Sequence, residues 1–290
     1  MAALRLLLLI TLLLPQCGRA AGEPLMAWQV AADSARLTLL GSVHMAFPDV
    51  YPLREDLEMA FAQADALVVE VDITGTGAAE IQRLLLDKGM LPAGQTVEHY
   101  LSPPVWHSLQ AYLDRHALSG DSVVRMKPGL LATTLSALRL AEFGMQVEHG
   151  IDRHFLNRAQ GAKPVLELES PAEQVALLLD FPDPDLLMAQ TLLQLEDMEA
   201  IIAPVYEAWL EGDSTTLYQL LLAQERASHP EFEAIYQRVY DDRNQAMADR
   251  LTELLAGEGH YFVVVGAGHL VGEEGIIALL QRTGFTVSRF

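Results

Sequence analysis

Tyr261-Phe262-Val263-Val264-Val265-Gly266-Ala267-Gly268-His269 is the stretch on which the fold turns. A short apolar run rich in β-branched residues and closed by glycines predicts a fully buried strand running into a sharp turn. Near the other end of the chain, Leu37-Thr38-Leu39-Leu40-Gly41-Ser42-Val43-His44 has the same form: an apolar strand, then Gly-x-x-His. Trp28-Gln29-Val30 and the polar turn Ala32-Asp33-Ser34 precede this second copy and make it the return strand of a hairpin. After His269 the pattern predicts a helix over 273–281 and a last strand around 285–288.

Between the two ends, 53–64 carries helical periodicity, and Ala66-Leu67-Val68-Val69-Glu70-Val71-Asp72 is an apolar strand closing on acidic residues. Strand, helix and strand at this spacing predict a βαβ unit with a buried parallel pair. Residues 80–140 read mostly as helix, interrupted by Leu101-Ser102-Pro103-Pro104 and Lys127-Pro128-Gly129. A helix over 152–159 leads to the short strand Lys163-Pro164-Val165-Leu166-Glu167-Leu168-Glu169, which again ends on carboxylates. Residues 172–255 are helical by pattern, broken at Phe181-Pro182-Asp183-Pro184 and Gly212-Asp213-Ser214. The expectation is an α/β fold: a mixed sheet formed from both ends of the chain, with a largely helical middle forming a cleft or lid. No repeat, low-complexity tract or linker divides 21–290, which reads as one domain with a helical subregion over 172–255.

The first twenty residues place Arg5 before an apolar run over 6–14 and end at Gly18-Arg19-Ala20. This is the form of a secretory signal peptide cleaved after Ala20, and the run is too short to span a bilayer. Leu14-Pro15-Gln16-Cys17 departs from a lipoprotein site in its bulky Gln16, which argues against anchoring through Cys17. Cys17 is the single cysteine, so the mature chain has none, and disulfides, cysteine-ligated zinc and thiol catalysis drop out together. The chain carries 19 Lys and Arg against 39 Asp and Glu, a formal net charge of -20. Without Arg5 and Arg19 the balance is 17 against 39, or -22. Such a surface repels polyanions and excludes nucleic acid as a partner class. No later stretch is long and apolar enough to span a membrane; oligomeric state is not legible.

His44 and His269 each stand three residues after a glycine, Gly41 and Gly266, at the C-terminal end of a strand, where open α/β sheets collect ligands. Glu70 and Glu169 also stand at strand ends. Strand ends of one sheet are spatial neighbours, so the four groups can converge, and imidazole with carboxylate suits a divalent ion such as Mn, Co or Zn. Glycine lets the chain turn off the strand and bring backbone amides close to a ligand. Asp152 follows Gly150 at a helix start, where an N-cap explains it as well as catalysis does. His99, His107, His116, His154, His229 and His260 lie in polar or helical contexts that a solvated or capping histidine explains; His149, before Gly150-Ile151-Asp152, is less plain. No His-Glu-x-x-His helix, Gly-x-Ser-x-Gly elbow or P-loop is present. Gly266-Ala267-Gly268 is no dinucleotide fingerprint, because too little chain follows to supply the ribose-binding strand. Ser42 lacks the strand-to-helix elbow that would present it as a nucleophile.

In this order the pieces resemble the TraB/PrgY family of GumN-like proteins, related to the Tiki metalloproteases. The resemblance rests on Trp28, Gly41-Ser42-Val43-His44, Glu70-Val71-Asp72, Lys127-Pro128 and Gly150-Ile151-Asp152. It continues through Leu168-Glu169-Ser170, Glu173-Gln174, Arg243-Asn244 and Gly266-Ala267-Gly268-His269, covering the mature chain. It implies a core shared with ChaN-like and erythromycin-esterase-like proteins and a metal-dependent hydrolase site. The activity-linked residues of the family fall on His44, His269 and Glu70, while Glu169, Asp152 and Arg243 match other recurring positions. Gly129 departs from a tryptophan common after Lys-Pro, and Ser170 from a threonine. No C-terminal anchor of the kind some relatives carry is present, which points to a periplasmic or secreted form.

The implied activity is a metal-dependent hydrolase, a metallopeptidase acting on peptides or proteins, with His44 and His269 as ligands. Glu70 is then a third ligand or the general base; Glu169 is a second candidate for that task, or orients a ligand histidine. Arg243 would anchor a carboxylate, either Glu169 or a peptide terminus, or else form a helix-surface salt bridge with no further role. The alternative of another class is a non-catalytic protein that sequesters a peptide or ligand in the same cleft.

Overall fold

The computed structural model describes residues 26–290, so the leader expected over 1–20 and Cys17 lie outside the described residues. β1 (Ala27–Ala31) and β2 (Ala35–Ser42) form the hairpin. With β3 (Ala66–Val69), β4 (Val165–Glu167), β5 (Gly259–Gly266) and β6 (Thr286–Arg289) they build a six-stranded sheet in the order β4-β3-β5-β2-β1-β6. β4, β3, β5 and β2 run parallel, and β1 is antiparallel to both β2 and β6. The sheet is therefore mixed and drawn from both ends of the chain.

The βαβ expectation needs one correction. β2 and β3 are parallel but not adjacent, because β5 lies between them and pairs with both. Phe262, Val263, Val264 and Val265 are all fully buried. A strand apolar on both faces is favoured at the centre of a covered parallel sheet, and the late strand takes that place.

The register fixes what leaves the sheet together. Ser42 lies opposite Gly266, Leu40 and Val69 both lie opposite Val264, and Glu167 lies opposite Val69. The strands thus end level, and Glu169 N–H donates to the Glu70 carbonyl just beyond the last pair, at 2.8 Å. Helices Glu55–Gln63 and Ile151–Ala159 cover Phe262 with Phe61 and Phe155, ring centroids 5.7 and 4.7 Å away. Met247, Leu251 and Leu255 of helix Asp242–Leu255 join the same core.

The helical middle has a second core, in which Leu109, Leu131, Leu135, Met188 and Leu195 bring together helices Pro103–Arg115, Pro128–Glu142 and Pro184–Glu211. The 28-residue helix Pro184–Glu211 begins with the Asp183 carboxylate accepting Leu186 N–H and ends at Gly212, φ 69°. These are the two expected breaks, with the acid capping a free amide and glycine taking the left-handed turn. A further break falls at His229-Pro230, and π turns occupy Gln219–Ala223 and Gln237–Asp241. A 3.6-residue period cannot register an inserted residue, which is why these turns were not anticipated. Among the described residues no helix is long and apolar enough to cross a membrane.

Candidate functional site

The strand ends open toward a cavity of about 220 Å³ whose polar end is lined by His44, Glu70, Gln174 and Arg243. His44 leaves β2, Glu70 follows β3, Glu169 follows β4, and His269 lies on the one-turn helix Ala267–Leu270 after β5. Arg243 and Asn244 come from helix Asp242–Leu255, directly after the second π turn.

His44 is the exposed member, with 65% of its side chain accessible. Its Nδ1 lies 2.9 Å from Asp152 Oδ2, and Ser42 Oγ donates to Asp152 Oδ1 at 2.8 Å. A carboxylate only accepts, so His44 Nδ1 carries the hydrogen and Nε2 keeps the lone pair in the neutral ring. The Asp152 charge raises the His44 pKa against the lowering effect of burial, and solvent at its exposed face screens that pull. The N-cap reading of Asp152 is thus corrected: the cap position is Gly150, and no side chain caps this helix. A Cβ at Gly150 would stand 2.3 Å from the His44 carbonyl, so glycine permits the helix to press against the turn and deliver Asp152.

His269 is buried, with 7% of its side chain accessible. Asn244 Nδ2 donates to the Glu274 carbonyl at 2.8 Å, which turns Asn244 Oδ1 toward His269 Nδ1, 2.6 Å away. Nδ1 is therefore the donor, and the Nε2 lone pair receives Arg243 Nη1 at 3.1 Å. Burial lowers the His269 pKa to about 4, so the ring is neutral at pH 7.

Arg243 ties the carboxylates together. Its Nε and Nη2 make a two-pronged pair with Glu169 at 2.7 and 2.6 Å, and Nη2 also donates to Glu70 Oε2 at 2.7 Å. Gln174 Nε2 bridges Glu169 Oε2 at 2.9 Å and Glu70 Oε2 at 3.3 Å. The helix-surface reading of Arg243 is overturned, because its side chain is 14% accessible and lies between the buried Glu70 and the partly buried Glu169. Burial alone would raise the Glu70 pKa; the charges of His269, His44 and Arg243 and the Gly266 N–H outweigh it and hold Glu70 at about 2. Since His269 is uncharged near neutrality, the lasting partners are Arg243, His44, whose pKa Asp152 raises, and the Gly266 amide, 2.6 Å from Glu70 Oε1.

The two glycines differ in use. A Cβ at Gly41 would meet Met26 Cγ at 2.7 Å and Ala267 at 3.1 Å, so Gly41 serves strand packing and not ligand approach. A Cβ at Gly266 would stand 3.3 Å from Glu70 Oε1, 3.4 Å from His269 Cδ2 and 3.7 Å from His44 Nε2. Gly266 therefore leaves open the point on which the three side chains converge. Neither glycine has a positive φ. Sequence reasoning missed the roles of Asn244 and Gln174 and the tie from Ser42 to Asp152, although all four residues stood inside the quoted motifs.

The sequence pattern of the TraB/PrgY/gumN family matches residues 26–289. The chain belongs to this family. Two bacterial relatives, both called Uncharacterized protein YbaP, from Escherichia coli (strain K12) and Shigella flexneri, are each 29% identical over 249 residues. Each match covers 84% of this chain and 87% of the relative. Metalloprotease TIKI1 of Danio rerio is 22% identical over 313 residues, covering 90% of this chain and 62% of that protein. No solved structure matches. Among the described residues no group of three or more His, Cys, Asp or Glu side chains is placed to hold a metal ion. By chemical type the groups around Gly266 suit an ion, two imidazoles whose Nδ1 atoms are held elsewhere and one carboxylate about a gap that a single Cβ would fill, but His269 turns Cδ2 to that gap and its Nε2 to Arg243.

Proposed function

We propose that this TraB/PrgY/gumN protein is an exported metal-dependent hydrolase of peptide bonds, with His44, His269 and Glu70 holding a divalent ion of the Mn, Co or Zn class. The observation that carries the reading is the pairing of each histidine Nδ1 with its own acceptor, Asp152 or Asn244, beside the gap at Gly266. Ligating histidines are oriented in this way by an acceptor on the opposite ring nitrogen. The distant likeness to Metalloprotease TIKI1 supports the same class. When bound, such an ion supplies Lewis-acid chemistry, polarising a carbonyl and making water acidic.

The chain's own groups supply the rest. Glu70 already accepts from Gly266 N–H, Arg243 and Gln174, which fixes its carboxylate and favours the ligand role over that of a mobile base. Glu169 holds the Arg243 fork, so its task is to position that guanidinium. Arg243 Nη1 donates to the His269 lone pair, so it would have to move off that nitrogen for His269 to serve as a ligand, and its charge beside the site would then stabilise a developing oxyanion. His44, at the mouth, orients through Asp152.

The test is elemental analysis of the purified protein, then cleavage of a peptide library with Mn, Co or Zn added, for wild type, His44→Ala and His269→Ala. Metal-dependent cleavage lost in both variants is expected. Peptide binding without cleavage under every ion would leave the sequestering alternative in its place.

A further inference from the structure

The cavity beside the site has two ends of different chemistry. His44, Glu70, Gln174 and Arg243 line one; Ala132, Thr133, Leu177, Leu178, Phe181 and Leu187 line most of the other. The apolar wall is built where helix Pro128–Glu142 packs on helix Pro171–Leu179 and the chain crosses over Phe181 into the helix Pro184–Glu211. The two packed helices approach so closely that a Cβ on Gly129 would stand 1.6 Å from the Leu178 carbonyl oxygen, so this wall has a fixed shape.

We propose that this apolar end is a specificity pocket that takes one large uncharged side chain, of the leucine, methionine or phenylalanine kind, from the substrate residue next to the scissile bond. The proposal rests on the hydrolase reading above and names the substrate class of that site. Three features select the occupant. About 220 Å³ is below the usual 300–1,000 Å³ of a small-molecule site, so the pocket holds a side chain and not a whole ligand. Its apolar end contains no ionised lining group, so an acidic or basic side chain would lose its water and gain no partner. It is continuous with Glu70 and Arg243, so an occupant's backbone lies against the reacting groups.

Thr133 is exposed at the rim, with its hydroxyl donating to the Gly129 carbonyl at 3.0 Å, so Thr133→Leu adds bulk to the cavity without entering the core. Leu177 is half-buried on the neighbouring helix Pro171–Leu179 and also lines the cavity, so Leu177→Ala widens it. The experiment is a positional scan of capped hexapeptides carrying Leu, Phe, Ala, Gly or Asp at each position, read by cleavage rate with Mn, Co or Zn and separately by equilibrium binding. A preference of about tenfold or more for Leu and Phe over Ala and Gly is expected at one position, within what a few methylenes earn in an apolar pocket. Asp should be poorest there. Thr133→Leu should move the preference toward Ala, and Leu177→Ala should weaken it. The same preference in binding without cleavage would uphold the pocket and overturn the hydrolase. Equal values for all five side chains, absence of binding, or a preference that neither variant moves would overturn the pocket.

Discussion

His44 and His269 leave neighbouring strands through the same Gly-x-x-His pattern, yet they stand in opposite surroundings. One is 65% accessible and tied to a charged Asp152; the other is 7% accessible, tied to a neutral Asn244 and flanked by Arg243. Asp152 raises one pKa and burial lowers the other. Even the glycines diverge, Gly41 making room for Met26 and Ala267, Gly266 for the converging side chains. The repeated motif therefore copies a backbone path and leaves the environment to whatever packs against it.

That contrast can be broken hardest at Arg243, which belongs to the buried side. Arg243→Ala leaves the buried Glu70 and the partly buried Glu169 without their cation, and a loss of about 3–5 kcal/mol in urea unfolding is expected. Retained stability would mean that the acids are not held as described. Next, His269→Ala should destabilise by about 1–3 kcal/mol, since it strands Asn244 Oδ1, whereas His44→Ala, which leaves Asp152 Oδ2 open to solvent, should cost less. Equal losses would erase the distinction between the turns. Asp152→Asn should weaken metal binding about 10–100-fold by calorimetry while costing little stability, the range for a residue that orients a ligand.

The smallest effect, and the sharpest in sign, is the pH dependence of the metal-free protein. For His44, raised above 6.5, the stabilisation is full below 6.5 and is lost as pH rises through the raised value. His269, lowered to about 4, binds protons more readily unfolded, so its side of the site loses stability as pH falls from 6.5 toward 4. Ring-proton titrations by NMR should therefore fall on opposite sides of 6.5. Two curves with a common midpoint would contradict the two environments.

Much of the fold was legible because burial on two faces imposes an apolar run that no other context explains. The strands beginning near Leu37, Ala66 and Tyr261 were read from that signal, and all six strands fall where the pattern placed them. The insertion of β5 between β2 and β3 was not legible, since pairing order leaves no mark on a single strand. In the site, the partners that set proton positions lie 108 residues away for His44 and 25 for His269, and Glu70 meets Arg243 across 173. Asp152 shows the limit well: a residue near a helix start reads as a cap until the packing of Gly150 on the His44 turn points its carboxylate elsewhere.

By itself the sequence determined the local matters: strands from apolar runs, helix ends from proline, acid and glycine, and the chemical types waiting at the strand ends. Periodicity and capping act over a few residues, so one sequence suffices to read them. Only the tertiary structure decided which histidine is buried, which nitrogen carries its hydrogen, and that Arg243 lies between two carboxylates. Desolvation and hydrogen bonding depend on distances across the fold, and those exist only once the sheet has brought its ends together.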